Sequence, residues 1–311
     1  MEPEPAHSQA IVRAPSPLAL AFILTASGCG RTALDSTSPT PGGTYTSSSG
    51  DPVEDQDSSA SDSSSVSARD GEVSGGAQAA DSCLPAAAGF ALQFGGSPPQ
   101  YVAISDAPQL DLTTFTVEAW MLEQDTTVNC VLCKPAGSGT NDSFAVWFQG
   151  PLYWGLNATA PNGAIAYSWS FAASTWHHIA GTYDAGSQTQ QLFIDGVLVG
   201  SQSAQQPPSY DGHPLLIGSD INYGAFSLGF VGTIDEVRIY SAARTAAEVQ
   251  IDLTGACASF EDPTLVAYYP FNEGSGSIAH DATGHGLDGM LGGSTAAPGA
   301  SPTSVRSTVP F

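Results

Sequence analysis

The chain has 311 residues, of which 30 are aspartate or glutamate and 7 are lysine or arginine, so its formal net charge is −23. This balance excludes proteins that bind the phosphates of nucleic acids or dock on anionic lipid headgroups, because both tasks require clustered cations. An acidic surface with few lysines is typical of an extracellular protein and attracts divalent cations.

Near the N-terminus, residues 18–29 form a short apolar run, Leu-Ala-Leu-Ala-Phe-Ile-Leu-Thr-Ala-Ser-Gly-Cys. A bilayer takes roughly 20 apolar residues, so the run is too short to span one, but it has the length of a signal-peptide core. Its ending at Cys29 resembles the lipobox of bacterial lipoproteins, which are cleaved before the cysteine and acylated on it. The resemblance implies a signal peptide over residues 1–28 and a lipid anchor at Cys29 as the only membrane contact. Because Gly30 follows, it also implies the outer membrane, and a secreted protein with an ordinary signal peptide is the alternative.

The segment after the cysteine, residues 29–82, consists mainly of Ser, Thr, Gly, Pro, Asp and Glu. Such a composition buries too little apolar surface to offset the loss of chain entropy on folding. We therefore predict a disordered tether between the lipid anchor and a folded domain.

Four further cysteines, an even number in an exported chain, predict two disulfides. Cys83 and Cys257 bracket the segment predicted to fold, and a bridge between them would contribute about 4–5 kcal/mol by closing a long loop. Cys130 and Cys133 lie three residues apart, so in a regular strand they point to opposite faces and can bridge only across a turn or bulge. A redox motif is the alternative for this pair, but no βαβ pattern surrounds it.

Short β-rich runs alternate with Gly, Pro, Asn and Asp turns, as in an all-β sandwich. One run contains Asp195-Gly196, which is the strongest short-range signal for a hairpin. A single helix is predicted over residues 244–253, where Thr245 and Glu248 form a capping box and Gly255 provides a stop. The clearest strands are predicted at Phe115–Met121, Trp176–Tyr183, Gln191–Val199 and Thr233–Tyr240.

Six motifs in order carry a family resemblance: Ala91–Gly96, Phe115–Trp120, Trp176–Asp184, Leu192–Gly200, Leu216–Gly218 and Gly232–Tyr240. Together they resemble the LamG-like jelly-roll domain of the concanavalin A-like lectin/glucanase superfamily. The resemblance implies an all-β fold, a two-sheet antiparallel jelly-roll sandwich over residues 83–258. It does not by itself imply an activity, because the superfamily holds lectins, hydrolases and adhesive modules.

The C-terminal part contains a displaced segment. Leu265–Gly276 and Asp281–Gly289 resemble the segment that usually opens this domain. We predict that residues 259–293 add strands to the same sandwich in a permuted arrangement. A truncated second domain is the alternative, although so short a segment cannot bury a core of its own. Residues 294–311 are predicted to be a disordered tail.

Catalytic residues are not evident in the sequence. Glucan-cutting members of the superfamily carry a Glu-x-Asp-x-x-Glu strand, and none is found here. Glu118 is predicted to be structural, paired with Arg238 or Lys134. His177 and His178 are adjacent and point to opposite faces of a strand, which predicts one core and one surface histidine.

Calcium is the cofactor that the resemblance favours. Related jelly rolls hold one where the first strand meets the Ile-Asp-Glu-Val strand, and Asp235 occupies the matching position. Carboxylate and carbonyl oxygens are the ligands that Ca²⁺ prefers. A solvent-facing Asp235 is the alternative.

Aromatic side chains near turns are the predicted recognition surface, because sugar C–H faces stack on rings while Asn and Asp bind the hydroxyls. The alternative is that these rings cap the edges of the sandwich. We predict a non-catalytic binding or adhesion lipoprotein of the cell envelope that recognises carbohydrate or an extracellular protein, and a divergent glycoside hydrolase is the other possibility. The candidate binding residues are Trp154, Trp169, Tyr210 and Tyr223.

Overall fold

The computed structural model describes residues 89–157, 163–204, 206–254, 262–293 and 299–311. The predicted signal peptide, lipid anchor and tether lie outside these residues, as do Cys83 and Cys257. Within the described ranges, no helix is both long enough and apolar enough to cross a membrane.

Strands dominate the described chain, and one α-helix interrupts them. The helix, α1 (Ala246–Leu253), begins after Thr245, whose side chain and that of Glu248 form the predicted capping box. The strands are β1 (Phe90–Gly95), β2 (Val102–Ile104), β3 (Phe115–Glu123), β4 (Val128–Ala136), β5 (Asn141–Gln149), β6 (Leu152–Leu156), β7 (Ile165–Tyr167), β8 (Trp176–Asp184), β9 (Thr189–Ile194), β10 (Val197–Ser203), β11 (Leu215–Ile217), β12 (Asp220–Asn222), β13 (Ala225–Ser227), β14 (Val231–Tyr240), β15 (Leu265–Tyr269), β16 (Ile278–Ala279), β17 (Gly289–Leu291) and β18 (Thr303–Arg306).

Two eight-stranded antiparallel sheets form the predicted sandwich. The first sheet has the order β10-β9-β8-β3-β14-β1-β18, and β15 also pairs with β14. The second sheet has the order β16-β17-β2-β11-β4-β5-β6-β7, and β12 and β13 form a separate hairpin. The β9–β10 hairpin turns at Asp195 and Gly196, both with positive φ, as the Asp-Gly signal predicts.

One continuous apolar core fills the space between the two sheets. Along each strand, side chains that enter this core alternate with side chains that face outward, as the pleat of a sheet requires. Along β3, for example, Phe115, Val117, Ala119 and Met121 face the core. The side chains between them therefore lie on the outer face of the first sheet.

The C-terminal segment adds strands to both sheets of the same sandwich. Strand β15 pairs with β14 in the first sheet, and β17 pairs with β2 in the second. Ala267, Tyr269 and Phe271 enter the common core with at most 1% of their surfaces exposed. The described residues of this segment therefore share the core of the sandwich and do not form a separate one.

The prediction of a disordered tail over residues 294–311 is wrong for residues 299–311. Strand β18 pairs with β1, and the Ser307 hydroxyl donates a hydrogen bond of 2.5 Å to Asp235. Val309 packs against Trp120 on the outer face of the first sheet. The tail is ordered by these long-range contacts, which its polar composition does not reveal.

Candidate functional site

The outer face of the first sheet is covered by helix α1 and by the C-terminal residues. Val249 of the helix packs on Ala180 and Phe193, and Leu253 packs beside Trp120 and the tail. A ligand cannot reach this face without displacing the helix or the tail. It is therefore a second interior layer rather than a binding surface.

Charged side chains fill this covered layer. Arg238 is 1% exposed and donates to Glu236 at 2.8 Å, and Arg244 donates to Asp252 at 2.7 Å. The Tyr268 hydroxyl donates a further hydrogen bond to Glu236 at 2.6 Å. Each ion is paired, as buried charges must be. The network reaches solvent at its edge, where Arg244 donates to the partly exposed Asp262 at 2.8 Å, and its other ions lie under the helix. We therefore assign it a structural role.

Glu118 lies in this layer but pairs with neither cation that the sequence analysis proposes. Within the described residues, Arg238 bonds to Glu236 and Lys134 bonds to Asp106, while the Oε2 atom of Glu118 lies 3.5 Å from Nε2 of His178. Burial raises the pKa of Glu118 to about 7 and lowers the pKa of His178 to about 3. The register places Glu118 opposite Arg238, but the guanidinium turns toward Glu236 instead.

The outer face of the second sheet carries stacked aromatic rings. Trp147 stacks on Tyr153 of the next strand at a centroid distance of 5.1 Å, and Tyr101 stacks on Phe226 of the hairpin at 3.9 Å. Phe226 itself is 43% exposed, whereas Tyr101 and Trp147 are 4% and 6% exposed. The accessible part of this layer is therefore the β12–β13 hairpin, which makes the hairpin and the sheet around it the candidate site.

Tyr223 is the most exposed ring on this side, with 79% of its surface in solvent. It lies at the tip of the β12–β13 hairpin, where Tyr223 and Gly224 both have positive φ. The Tyr223 amide donates to the Gly139 carbonyl in the β4–β5 turn at 2.9 Å, which fixes the tip over the sheet. An Asn-Tyr-Gly turn between two short strands is the sequence signal for this hairpin.

The Cys130–Cys133 pair forms a disulfide beside the stacked rings. A bulge in the β4–β5 register between Cys130 and Leu132 brings the two sulfur atoms to one face of the sheet. Their Cα atoms lie 6.5 Å apart. This is the bulge that the sequence analysis requires for such a bridge, whereas the pairing of Cys83 with Cys257 stays a prediction.

Asp142 and Asp220 form a buried carboxyl pair beneath the hairpin. A carboxylate oxygen of each lies within 4.8 Å of the other and of the Cys133 sulfur, and the two residues are 8% and 3% exposed. Burial, and then the like charge of Asp220, raises the pKa of Asp142 well above its usual range. Asn222 donates from its Nδ2 to Asp220 at 2.7 Å and to Ser227 at 2.8 Å.

A second bulge explains why the sequence did not reveal this pair. The β4–β5 register shifts between Lys134 and Pro135, so that Lys134 lies opposite Phe144 while Pro135 lies opposite Asp142. Ser143 is the extra residue on β5, and it turns Asp142 away from the core. Alternation along the strand would have placed Asp142 on the same side as Phe144.

Trp154 has no surface on which a sugar could stack. It is 0% exposed, and its Nε1 donates to the Thr182 carbonyl at 3.2 Å. A Cβ at Gly181 would lie 2.5 Å from its ring, so the glycine admits the indole into the core. Trp154 is therefore a core residue, which corrects the prediction that it binds a ligand.

Trp169 and Tyr210 are half-buried at the edge of the core, as the edge-capping alternative predicts. Trp169 donates from Nε1 to Glu123 at 2.9 Å, and the Tyr210 hydroxyl donates to the Leu112 carbonyl at 2.7 Å. Of the four predicted rings, Tyr223 is the one that is mostly exposed, and its backbone contacts place it near the candidate face.

Asp235 is buried, so the solvent-facing alternative is wrong. It is 1% exposed, and its two oxygens accept hydrogen bonds from the Glu236 amide at 2.8 Å and from the Ser307 hydroxyl at 2.5 Å. Ca²⁺ takes about six to eight oxygen ligands. Both carboxylate oxygens already accept hydrogen bonds, and among the described residues Asp235 belongs to no cluster of three Asp, Glu, His or Cys ligands, so these surroundings do not fit calcium.

His177 and His178 are both buried, at 8% and 0% exposed, so the prediction of one surface histidine is wrong. His177 lies between Asp195 Oδ2 at 2.8 Å and Thr175 Oγ1 at 2.9 Å. The Thr175 hydroxyl donates to the Ala172 carbonyl at 2.6 Å and can only accept from the imidazole. In a nucleophile–base pair the hydroxyl donates its hydrogen bond to the histidine. Thr175 does not donate to His177, so Thr175, His177 and Asp195 do not form such a pair.

Solved structures resemble this fold. A Bacteroides ovatus protein provisionally described as carbohydrate-binding aligns with 19% identity and a TM-score of 0.54, over 72% of this chain and 61% of its own. The chain thus spans less than two thirds of that protein. The SAP-like pentraxin of Limulus polyphemus aligns with 15% identity and a TM-score of 0.43, over 54% of this chain and 82% of its own.

A third structure is the CBM40 of a Ruminococcus gnavus IT-sialidase bound to alpha2,3 sialyllactose. It has 13% identity and a TM-score of 0.41, over 49% of this chain and 92% of its own. Among curated proteins, none matches the chain. The family model described as the concanavalin A-like lectin/glucanases superfamily, Laminin_G_3, matches residues 94–250, which is half of the chain. The chain belongs to this laminin G-type family of the concanavalin A-like lectin/glucanases superfamily.

Proposed function

We propose that the protein is a non-catalytic carbohydrate-binding lipoprotein of the cell envelope. The observation that carries the proposal is the exposed ring of Tyr223, fixed at the tip of a hairpin next to the half-buried amide of Asn222. A sugar can stack a C–H face on the ring, and an amide of this kind binds its hydroxyls. The two ring stacks on the same sheet provide a rigid surface behind the hairpin.

A glycan array tests this function. We expect the purified mature chain to bind at least one glycan class, and Tyr223→Ala to weaken that binding about tenfold, which corresponds to 1.4 kcal/mol. Phe311→Ala is the matched control, because Phe311 is 44% exposed and lies against Trp120 on the other sheet. Equal binding by Tyr223→Ala and the parent chain would contradict the proposed site. Binding to extracellular proteins but not to glycans would favour the other predicted class of partner.

The same array with and without EDTA tests calcium. Since the surroundings of Asp235 do not fit the ion, we expect EDTA to leave glycan binding unchanged. A loss of binding that added calcium restores would show that the protein holds calcium.

The proposed location rests on the lipobox-like ending at Cys29. We expect the mature protein to begin at Cys29 and to partition into detergent with the outer membrane. Cys29→Ala should move it to the soluble fraction. A Cys29→Ala protein that remains membrane-bound would contradict the lipid anchor, and a soluble parent protein would favour secretion.

The carboxyl pair favours one alternative, a divergent glycoside hydrolase. Such enzymes need a general acid with a raised pKa, and Asp142 has one. The two carboxyls are nevertheless buried under the hairpin with oxygens within 4.8 Å of each other, whereas hydrolases hold their two carboxyls about 5–9.5 Å apart around the scissile bond. Reducing-sugar release from the glycans that bind, abolished by Asp142→Asn, would establish the enzyme; binding without release supports the proposal.

A further inference from the structure

A cleft opens between the two sheets at the side where each sheet has a free edge. Strand β18 ends the first sheet and β16 ends the second, and the loop between β15 and β16 crosses from one sheet to the other. The cleft has a volume of about 400 Å³. This lies at the lower end of the roughly 300–1,000 Å³ typical of small-molecule sites.

The cleft has an apolar floor and a polar rim. Leu92, Phe271, Ile278 and Leu291 form the floor, and Ile278 is 40% exposed. The rim consists of hydroxyl-bearing side chains and one carboxylate: Ser275, Ser301, Thr303, Ser304 and Glu273. A dense ring of hydroxyls around an apolar floor complements a polyhydroxylated molecule that has an apolar face.

One rim hydroxyl has no partner. The Ser304 Oγ atom is buried and makes no hydrogen bond within the described residues. By contrast, the Ser301 hydroxyl donates to the Leu291 carbonyl at 3.1 Å, and Glu273 accepts from the His280 amide at 2.8 Å. A buried polar group without a partner is costly and calls for an explanation, and a bound ligand is one.

The floor contains a strained residue. Phe271 has a φ of 52°, which is left-handed backbone that bulky residues rarely adopt, and it is 1% exposed. Backbone strain of this kind persists where the surrounding structure enforces it, and it clusters at ligand sites. The cleft, the unpartnered hydroxyl and the strained floor are independent observations at one place.

We propose that this cleft is a second ligand site and that it takes a small neutral saccharide of one or two rings. The apolar floor would pack against a C–H face, and Ser304 with its neighbours would bind ring hydroxyls. The Glu273 carboxylate in the rim disfavours an anionic ligand. All of the lining residues lie outside residues 94–250: Leu92 precedes the matched family domain, and the others follow it.

Methyl NMR of the full mature chain tests the proposal. The probes are glucose, galactose, mannose, N-acetylglucosamine and the β1,4-linked disaccharides of glucose and N-acetylglucosamine. We expect at least one to shift the methyl signals of Leu92, Ile278 and Leu291. Ser304→Ala should weaken that binding at least fivefold without lowering Tm, because the hydroxyl has no partner in the free protein.

Two control variants distinguish binding in the cleft from binding at the proposed glycan site around Tyr223. Ser170→Ala removes an exposed serine outside the cleft and should leave binding unchanged. Tyr223→Ala should also leave the cleft signals unchanged, so the cleft can fail or succeed independently of the proposed function. Laurate is titrated separately as an apolar probe. The proposal is overturned if no sugar shifts these methyls, if Ser304→Ala binds as tightly as the parent chain, or if laurate shifts the methyls while the sugars do not.

Discussion

The two outer faces of the sandwich have the same pleated geometry but different roles. The first sheet is covered by α1 and the C-terminal residues, and its outward side chains form a buried network of ions around Arg238 and Arg244. The second sheet instead carries stacked rings and a hairpin whose tip, Tyr223, is 79% exposed. The difference shows that covering elements, rather than the sheets themselves, decide which face can recognise a ligand.

The largest expected effect comes from removing the C-terminal segment. A chain ending at residue 259 loses β15 to β18 and the burial of Leu265, Tyr269 and Phe271. Each large buried side chain is worth about 1.5–3 kcal/mol, and a typical domain has only about 5–15 kcal/mol of stability. We expect the shortened chain to be insoluble or to lack a cooperative thermal transition by circular dichroism. Melting at the same temperature as the full chain would contradict the single sandwich.

Breaking the covered network should come next. Arg238→Met leaves the Glu236 carboxylate buried without its cation, which typically costs about 3–5 kcal/mol in the free energy of unfolding. Arg306→Met is the control, since Arg306 is exposed and lies over the Phe90 ring at 4.3 Å, a contact worth about 0.5–1 kcal/mol. Urea unfolding measures both. Similar losses for the two variants would show that the network contributes no more than a surface contact.

The pH dependence of stability reports on Glu118. Because its pKa rises from 4.5 to about 7 on folding, its contribution is fully present below pH 4.5 and is lost as the pH rises through 7. Glu118→Gln cannot ionise, so it should be more stable than the parent chain by up to about 3 kcal/mol at pH 8 to 9. The advantage should vanish near pH 4.5. Urea unfolding between pH 5 and 9 checks this, and parallel curves for both proteins would refute it.

His178 changes the pH dependence of the free energy of unfolding in the opposite direction, and both proteins contain this histidine. Its pKa falls to about 3 on folding, so the unfolded chain binds its proton first and stability decreases as the pH falls below 6.5. Taking the difference between the parent chain and Glu118→Gln removes the part of this contribution that does not depend on Glu118. Because the two side chains lie 3.5 Å apart, the difference reports the carboxyl group together with its coupling to His178.

The smallest expected effect on stability is at the exposed face. Tyr223→Ala should change the free energy of unfolding by less than about 0.5 kcal/mol, because the ring is in solvent. A loss of glycan binding at unchanged Tm would show that this face of the second sheet serves recognition, in contrast to the covered face of the first sheet, which serves stability. A large loss of stability would instead give Tyr223 a structural role.

Local sequence signals correctly predicted the elements that local physics determines. The Asp195-Gly196 turn and the Thr245 capping box occur where expected, because turn and cap geometry depends on only a few neighbouring residues. The strand predicted at Phe115–Met121 likewise lies within β3. These signals were sufficient for the sandwich and its family.

Tertiary structure alone decided which polar and aromatic residues are accessible. Trp154 follows a turn just as Tyr223 lies in one, yet one is in the core and the other in solvent, because Gly181 admits the first ring. Bulges in the β4–β5 register joined Cys130 to Cys133 and turned Asp142 toward Asp220. A one-residue bulge changes the face of a side chain without a clear mark in the sequence, so composition and spacing determined the fold while long-range register and covering elements determined the site.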